Sequence, residues 1–277
     1  MDQVVQKLKA KYVLIVGGYD RFPSPKVSGY YTDNPYADYT KDNVPDVALG
    51  RLPEPNDGDM DLFITAFDTF IRLHNSGGLE LSSHVGRTLG YGYLAMDCWS
   101  LYNWGKKCNE YPNCKAPTSD SSTAASGKVF FYLTQHGSSG PPQSYVSALK
   151  PSDVSGMNVN NAVWMIIPCY GGVINYKSTS EGIVLTFFKK GGAIHMSSTN
   201  LNCCAVTGTT CDQTIDGGGV AALYHRIAQN FAPETRIGDA YKNGKIKFKN
   251  EIGNGQMQEF YINCLYGDPS LKIKSMW

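Results

Sequence analysis

The sequence lacks a surplus of either charge, since its 277 residues carry 25 basic and 24 acidic side chains. Proteins that bind nucleic acid or anionic membranes normally carry an excess of Lys and Arg. Long apolar runs are also missing: AVWMII at 162–167 is far shorter than the roughly 20 residues of a membrane helix. The sequence therefore predicts a protein with no nucleic-acid partner and no membrane partner.

A secretory signal is also missing, because the N-terminus has no basic head followed by a long apolar region. The first strand-like run begins at Tyr12, which would also be expected of a mature fragment of a longer precursor. Eight cysteines are many for a cytosolic enzyme of this size. We therefore expect a secreted or extracellular protein whose signal is absent from this chain.

The cysteines fall mainly into two clusters. These are Cys98, Cys108 and Cys114 in a Tyr/Asn/Lys-rich segment, and Cys203, Cys204 and Cys211 in a Thr/Gly-rich loop. Disulfides in such segments would staple surface loops. A zinc site is less favoured, because neither cluster has paired C-x-x-C spacing or a histidine at ligand spacing. Free thiols remain the third alternative.

Apolar, strand-like runs alternate with helical patterns along the chain. The predicted strands are Tyr12–Val16, Val129–Leu133, Ala162–Ile167 and Ala193–Met196, and the predicted helices are Met60–His74, Glu181–Lys190 and Val220–Phe231. Continuous apolar strands separated by helices indicate a mainly parallel sheet covered on both faces. The predicted fold class is α/β, a three-layer sandwich. The weakest point of the chain is NSGGLELSS at 75–83, which we interpret as a subdomain seam.

Two strand ends carry candidate catalytic residues. In open α/β sheets ligands bind beyond the carboxyl ends of the strands. His136 follows one apolar run in KVFFYLTQHGSSG, and Cys169 follows another in AVWMIIPCYGG. An imidazole beside a cysteine takes up its proton and activates the thiolate as a nucleophile. If the two strands are neighbours, these side chains face each other and the backbone N–H groups of Gly137 and Cys169 can hold an oxyanion.

Simpler interpretations of the same residues exist. A cysteine after a strand is more often a small buried apolar residue, and a histidine at a strand end is more often a solvated or hydrogen-bonded group. His195, in GGAIHMSS, is expected to be a packed strand residue. Spacing alone does not decide between these interpretations and a catalytic pair.

The two motifs TQHGSSG and IIPCYGG, with 33 residues from His136 to Cys169, resemble the catalytic motifs of the gingipain family of cysteine peptidases, in the caspase-like clan. Three further stretches are similar to that family in the same order. They are YVLIVGGYDRFPS with TDNPYADYTKDNVPDVALGRLP, then GGAIHMSSTN, and finally LYGDPSLKI. The resemblance covers nearly the whole chain.

This resemblance implies a caspase-like sandwich that hydrolyses peptide bonds of a peptide or protein substrate through a thioester. His136 and Cys169 would be the catalytic dyad, and the N–H groups of Gly137 and Cys169 the oxyanion donors. Residues 1–80 would be the remnant of an N-terminal caspase-like subdomain, and 81–277 the catalytic subdomain. The chemistry would need no cofactor. No counterpart of the carboxylate near the catalytic histidine is evident in TLGYGY.

Substrate selection is expected to involve an acidic side chain, since family members that cleave after Arg or Lys use one in the S1 pocket. Asp97 is the nearest acid after the strand that contains VGRTLGYGY. Its alternative role is to stabilise the start of a helix. Thr199 and Asn200, in the SSTN turn, and Asp212, in the loop after it, are the other S1 candidates.

The family also implies a structural calcium ion. The loop from Asp33 to Asp46 supplies the hard oxygen ligands that calcium prefers, although its spacing is not that of an EF-hand. The candidate ligands are Asp33, Asp38, Asp42 and Asp46. The same residue types also stabilise turns without a metal.

The resulting functional hypothesis is a cysteine endopeptidase. Two alternatives remain open at this point. A Cys–His acyltransferase or amidase would use the same pair of residues but leave peptides uncut. A non-catalytic binding module of the same fold would have an unreactive Cys169.

Overall fold

An eight-stranded sheet organises the chain in the computed structural model, which describes residues 2–87, 114–115, 121–133, 136–140, 145–146, 149–175, 177–202, 219–252 and 257–276. The described strands are β1 (Tyr12–Val16), β2 (Lys26–Val27), β3 (Tyr30–Tyr31), β4 (Ala48–Leu52), β5 (Leu79–Leu81), β6 (His84–Arg87), β7 (Cys114–Lys115), β8 (Phe130–Leu133), β9 (Gly137–Ser138), β10 (Tyr145–Val146), β11 (Val163–Ile166), β12 (Ile194–Ser198), β13 (Asn263–Gly267) and β14 (Ile273–Met276). The order in the main sheet is β1-β4-β13-β12-β11-β8-β6-β7.

Helices lie between the strands. Those described are α1 (Asp2–Leu8), α2 (Asn34–Ala37), α3 (Met60–Asn75), α4 (Ser121–Ala125), α5 (Pro151–Ser155), α6 (Ile183–Lys189), α7 (Gly219–Ala228), α8 (Ile237–Ile252) and α9 (Met257–Ile262). Each of the four predicted strands and three predicted helices is present, with bounds shifted by at most three residues. In the described part of the chain, no helix combines the length and the apolar composition needed to cross a membrane.

The centre of the sheet is buried on both faces, because β8 and β11 are apolar at every position and fully covered. Side chains alternate along a strand, so Phe130 and Phe131 point to opposite faces. The ring of Phe130 contacts Phe231, which follows α7, whereas Phe131 contacts Trp164, and Trp164 contacts Phe187 of α6. Helical segments therefore cover both faces, and the predicted three-layer α/β fold is confirmed.

Strand direction divides the sheet into two groups. β12, β11, β8, β6 and β7 are parallel to one another, and β12 meets β13 in an antiparallel pair. β13, β4 and β1 are parallel to one another. The N-terminal strands thus belong to the same sheet as the rest, while the division at residues 80 and 81 stays a prediction.

A buried ion pair joins the loop before β4 to that strand. The Arg51 guanidinium donates from Nε and Nη2 to the two carboxylate oxygens of Asp33, both at 2.7 Å. It also donates to the carbonyl oxygen of Gly17 at 2.7 Å, and Ser24 donates to Asp33 at 2.6 Å. Arg51 is only 1% exposed. Because both charges are buried and fully bonded, removing either one leaves the other unpaired in a low-dielectric site.

Arg51→Leu should therefore lower the free energy of unfolding strongly, on the order of 3–5 kcal/mol, because it leaves the Asp33 carboxylate buried without its cation. Urea unfolding followed by circular dichroism measures the change. The matched control is Lys274→Met, which breaks the exposed pair between Lys274 and Glu80. Exposed pairs contribute roughly 0–1 kcal/mol, so equal losses in the two variants would contradict the assignment.

His195 lies on β12 and is fully buried among aromatic rings, as expected of a packed strand residue. Its ring centroid is 5.3 Å from that of Phe187 and 5.9 Å from that of Trp164. Nδ1 lies 2.9 Å from the Ser197 hydroxyl, whereas Nε2 has no partner among the residues described. Burial lowers the pKa of His195 from 6.5 to about 3, so the folded protein holds it neutral.

This burial predicts acid sensitivity. Between pH 6.5 and 3 the unfolded chain binds a proton at His195 and the folded chain does not, so stability falls as the pH falls. From pH 7 to pH 5 the loss should be about 2 kcal/mol. Urea unfolding of wild type and His195→Gln at both pH values isolates this contribution. A wild-type protein that loses no more stability than the glutamine variant would refute the prediction.

Candidate active site

The two candidate catalytic residues follow neighbouring strands. β8 and β11 are parallel, with Leu133 opposite Ile166, and the N–H of Ile167 donates to the carbonyl of Leu133 at 2.8 Å. His136 and Cys169 each lie three residues beyond the end of their strand. The expected adjacency of the two strands is confirmed. Because the two strands are in register, both residues lie at the same edge of the sheet, each as the third residue after its strand.

Gly137 brings the two turns into direct contact. A β-carbon placed on Gly137 would lie 2.0 Å from the carbonyl oxygen of Cys169 and 3.0 Å from Cβ of Pro168. Only a residue without a side chain allows this approach. The backbone beside His136 thus packs against the backbone of Cys169, and His136 itself is exposed to solvent. The two N–H groups proposed as oxyanion donors, those of Gly137 and Cys169, belong to these adjoining turns.

The turn that carries Cys169 is held in an uncommon conformation. Tyr170 has a φ of 58°, which non-glycine residues rarely adopt. The N–H of Tyr170 donates to the carbonyl of Asn200 at 2.9 Å, and that of Gly172 donates to Ser198 at 2.7 Å. Two backbone hydrogen bonds to the segment after β12 therefore fix the turn. Such local strain at a candidate nucleophile is a feature of functional sites.

The Cys169 thiol is half-buried and free. Its sulfur lies 3.4 Å from the backbone nitrogen of Asn202, which donates to it, and 3.9 Å from the carbonyl oxygen of Asn202. The side-chain amide of Asn202 donates from Nδ2 to the carbonyl of Ile167. Sequence reasoning missed Asn202. Its only signal is its place two residues beyond the SSTN turn, on the segment that leaves β12.

The substrate-binding candidates divide into those near this edge and those outside the described residues. Thr199 and Asn200 follow β12 directly, and both the N–H and the hydroxyl of Thr199 donate to the carbonyl of Ile262, at 2.9 and 3.1 Å. Asn200 binds the Cys169 turn through its carbonyl. Asp97 and Asp212 lie outside the described residues, as does the stretch TLGYGY. The S1 assignment stays a prediction.

Two carboxylates of the acidic loop, those of Asp38 and Asp46, already accept hydrogen bonds from the loop's own backbone. Asp38 accepts from the N–H groups of Lys41, Asp42 and Asn43 at 2.7, 3.2 and 2.8 Å. Asp46 accepts from the N–H of Thr40 at 2.9 Å.

Cationic side chains already contact this loop, among them those of Arg51 and Lys249. Arg51 pairs with Asp33, and the Lys249 ammonium donates to the carbonyls of Asp42 and Asn43 at 3.1 and 2.8 Å. Among the described residues no group of three His, Cys, Asp or Glu side chains is placed to hold a metal ion. Calcium binding by Asp33, Asp38, Asp42 and Asp46 stays a prediction.

Of the cysteines outside the candidate site, only Cys264 has a described side chain. It is free and buried on β13, and burial raises the pKa of its thiol to about 12. A thiol that stays protonated is a poor nucleophile. Cys98, Cys108, Cys203, Cys204 and Cys211 lie outside the described residues, and the structure gives only the backbone of Cys114. The predicted disulfides therefore stay predictions.

Solved structures with a similar fold cover almost the whole chain. The complex of Porphyromonas gingivalis RgpB pro- and mature domains matches with a TM-score of 0.73 at 15% identity, over 98% of this chain and 69% of the matched chain. The Arg-specific cysteine proteinase gingipain R (RgpB) matches with a TM-score of 0.70 at 14% identity, over 98% and 67%. The predicted caspase-like fold is thereby confirmed.

A more distant likeness is to the Saccharomyces cerevisiae separase–securin complex, with a TM-score of 0.50 at 13% identity, over 83% of this chain and 14% of the matched chain. At these identities the likeness shows the fold alone. No curated protein sequence matches this chain. The sequence model of peptidase family C25 matches residues 105–274, which include both His136 and Cys169. Because that match spans more than half of the sequence, the chain belongs to peptidase family C25, the gingipain family of cysteine peptidases.

Proposed function

We propose that this peptidase is an endopeptidase in which Cys169 is the nucleophile and His136 the general acid and base. The observation that carries the proposal is the contact between Gly137 and the Cys169 carbonyl, which joins the turns after β8 and β11. An exposed histidine and a half-buried free thiol on adjoining turns, at the carboxyl edge of parallel strands, are suitable residues for acyl transfer.

The proposed reaction has two steps, formation of a thioester on Cys169 and its hydrolysis. In the first, the Cys169 sulfur attacks the scissile carbonyl carbon, the C–N bond breaks, and the imidazolium of His136 gives a proton to the departing amine. The products are a thioester on Cys169 and a free amine. In the second, a water molecule gives a proton to the neutral imidazole and attacks the thioester, which releases a carboxylic acid and restores the thiolate and the imidazolium.

The oxyanion of each tetrahedral intermediate would be held by the N–H groups of Gly137 and Cys169. Backbone donors act best when they are fixed before the reaction, because no reorganisation is then needed as charge develops. The hydrogen bonds that fix the Cys169 turn to Ser198 and Asn200 provide such rigidity.

For substrate, we propose a protein or peptide cleaved after Arg or Lys, with Asp97 or Asp212 as the acid that pairs with the cation and Thr199 and Asn200 beside it. A buried carboxylate selects a guanidinium or ammonium by charge and by hydrogen bonding. The similar solved gingipain R is described as Arg-specific, and a second similar structure holds a pro-domain together with the mature domain. We also propose that the protein acts outside the cell.

Cys169→Ala and His136→Ala should each lower kcat/KM for peptide cleavage by at least 10³-fold, because each removes a group that makes or breaks bonds. Fluorogenic peptides with Arg, Lys or Leu at P1 provide the assay, and the basic peptides should be cleaved fastest. Cys264→Ala is the matched control. It removes the other described free thiol, which is buried on β13.

Three results would contradict the proposal. Full cleavage by Cys169→Ala excludes the nucleophile, and equal cleavage of all three peptides excludes the basic preference. Transfer of the acyl group to an added amine, with no hydrolysis, would instead identify an acyltransferase.

Gly137→Ala should lower kcat by on the order of 10²-fold, because the added methyl group collides with the Cys169 carbonyl and displaces the catalytic turn. The steady-state kinetics of the folded variant measure this effect. Gly156→Ala is the matched control, since its β-carbon would meet the nearest atom at 3.5 Å, an ordinary contact. Equal activity in both variants would show that the contact at Gly137 does not position the catalytic groups.

A further inference from the structure

The end of β12 and the segment after it run beside the Cys169 turn. Every second residue there, namely Ser198, Asn200 and Asn202, forms a hydrogen bond with that turn. The carbonyl of Ser198 accepts from Gly172, and the carbonyl of Asn200 accepts from Tyr170. At Asn202 the pattern continues, but its partner is a side-chain atom: the backbone N–H of Asn202 donates to the Cys169 sulfur at 3.4 Å. The series of hydrogen bonds that fixes the turn thus ends at the Cys169 sulfur.

We infer that Asn202 is a positioning residue for Cys169, whose backbone N–H stabilises the thiolate and whose side-chain amide fixes that N–H in place. The inference rests on the proposed role of Cys169 as nucleophile. Asn202 does not belong to the Cys–His pair and supplies no atom to the reaction.

Asn202 presents both a donor and an acceptor to the Cys169 sulfur. A thiolate accepts a hydrogen bond from the N–H of Asn202, whereas a neutral thiol donates to the carbonyl of the same residue. The nitrogen is the closer of the two, at 3.4 Å against 3.9 Å. Hydrogen bonds to a charged acceptor are also stronger than those between neutral groups. The N–H of Asn202 is therefore placed to donate to Cys169 in its thiolate form.

The side chain of Asn202 ties this N–H to the sheet. Its Nδ2 donates to the carbonyl of Ile167, and the N–H of Ile167 donates to the carbonyl of Leu133 at the end of β8. The opposite orientation of the amide would place two oxygen atoms against each other. Sulfur, Asn202 and the ends of β11 and β8 thus form one hydrogen-bonded chain.

The other atom of the side-chain amide makes no such bond. Oδ1 of Asn202 is buried and has no hydrogen-bond partner within the described residues. Burying an unpaired acceptor is unfavourable. Within the described residues, the bond from Nδ2 to Ile167 is therefore the hydrogen bond that holds this side chain.

The test is the rate at which iodoacetamide alkylates Cys169 as a function of pH, measured by mass spectrometry of the peptide that contains it. Asn202→Leu keeps the approximate volume but removes the donor to Ile167. Alkylation at pH 7 should fall by about fivefold, the equivalent of one hydrogen bond. The whole pH profile should shift upward. The rates of wild type and variant should converge at high pH, where the thiol ionises without help.

The kcat/KM of Asn202→Leu for peptides with Arg or Lys at P1 should also be lower than that of wild type. This difference should shrink as the pH rises. A structural defect alone would lower activity equally at every pH. Asn230→Leu is the matched control, because its Nδ2 also donates to a backbone carbonyl, that of Arg226, at 2.8 Å. Its alkylation profile should coincide with that of wild type.

A profile for Asn202→Leu that coincides with wild type overturns the inference. If this variant does not fold, Asn202→Ala, which removes the side-chain donor without adding a charge, supplies the comparison with the same expected shift. Failure of the proposed function is a separate result: wild-type protein would then cleave no peptide at any pH. An active wild type with an unshifted variant removes only the role of Asn202.

Discussion

The parallel pairing of β8 with β11, in the register that sets Leu133 opposite Ile166, is the constraint on which the candidate site depends. Each strand is buried on both faces, so a slip of one residue would exchange the side chains that face the two helical layers. The register is therefore determined by the core. Because two residues lie between each strand and its catalytic candidate, the same packing that stabilises the fold also brings the two turns together.

A second constraint joins the N-terminal part of the chain to the rest. The Asp33–Arg51 pair fixes the loop before β4, and β4 reaches the catalytic strands through β13 and β12. The antiparallel step between β12 and β13 is where the sheet changes direction. Contacts from either side of this step meet near Cys169, since the carbonyl of Ser198 accepts from the N–H of Gly172 on one side and the hydroxyl of Tyr266 donates to the carbonyl of Gly172 at 2.6 Å on the other.

Strands, helices and the positions of His136 and Cys169 just beyond strand ends could be predicted from the sequence because each depends on a local pattern: a continuous apolar run, a helical spacing, or a glycine after a strand. Asn202 could not, since its contact with the sulfur depends on the path of a loop between segments that lie 33 residues apart. The acidic loop shows the same limit. Its composition indicates oxygen ligands, but only the fold shows that Arg51 and Lys249 lie close enough to be its cations.

The contact between Gly137 and the Cys169 carbonyl has a consequence for how such an enzyme diversifies. The turns that carry His136 and Cys169 meet through main-chain atoms, which every amino acid supplies, at a position where glycine is required. Side chains farther from this contact could therefore change while the two turns keep their separation, provided that position 137 stays glycine.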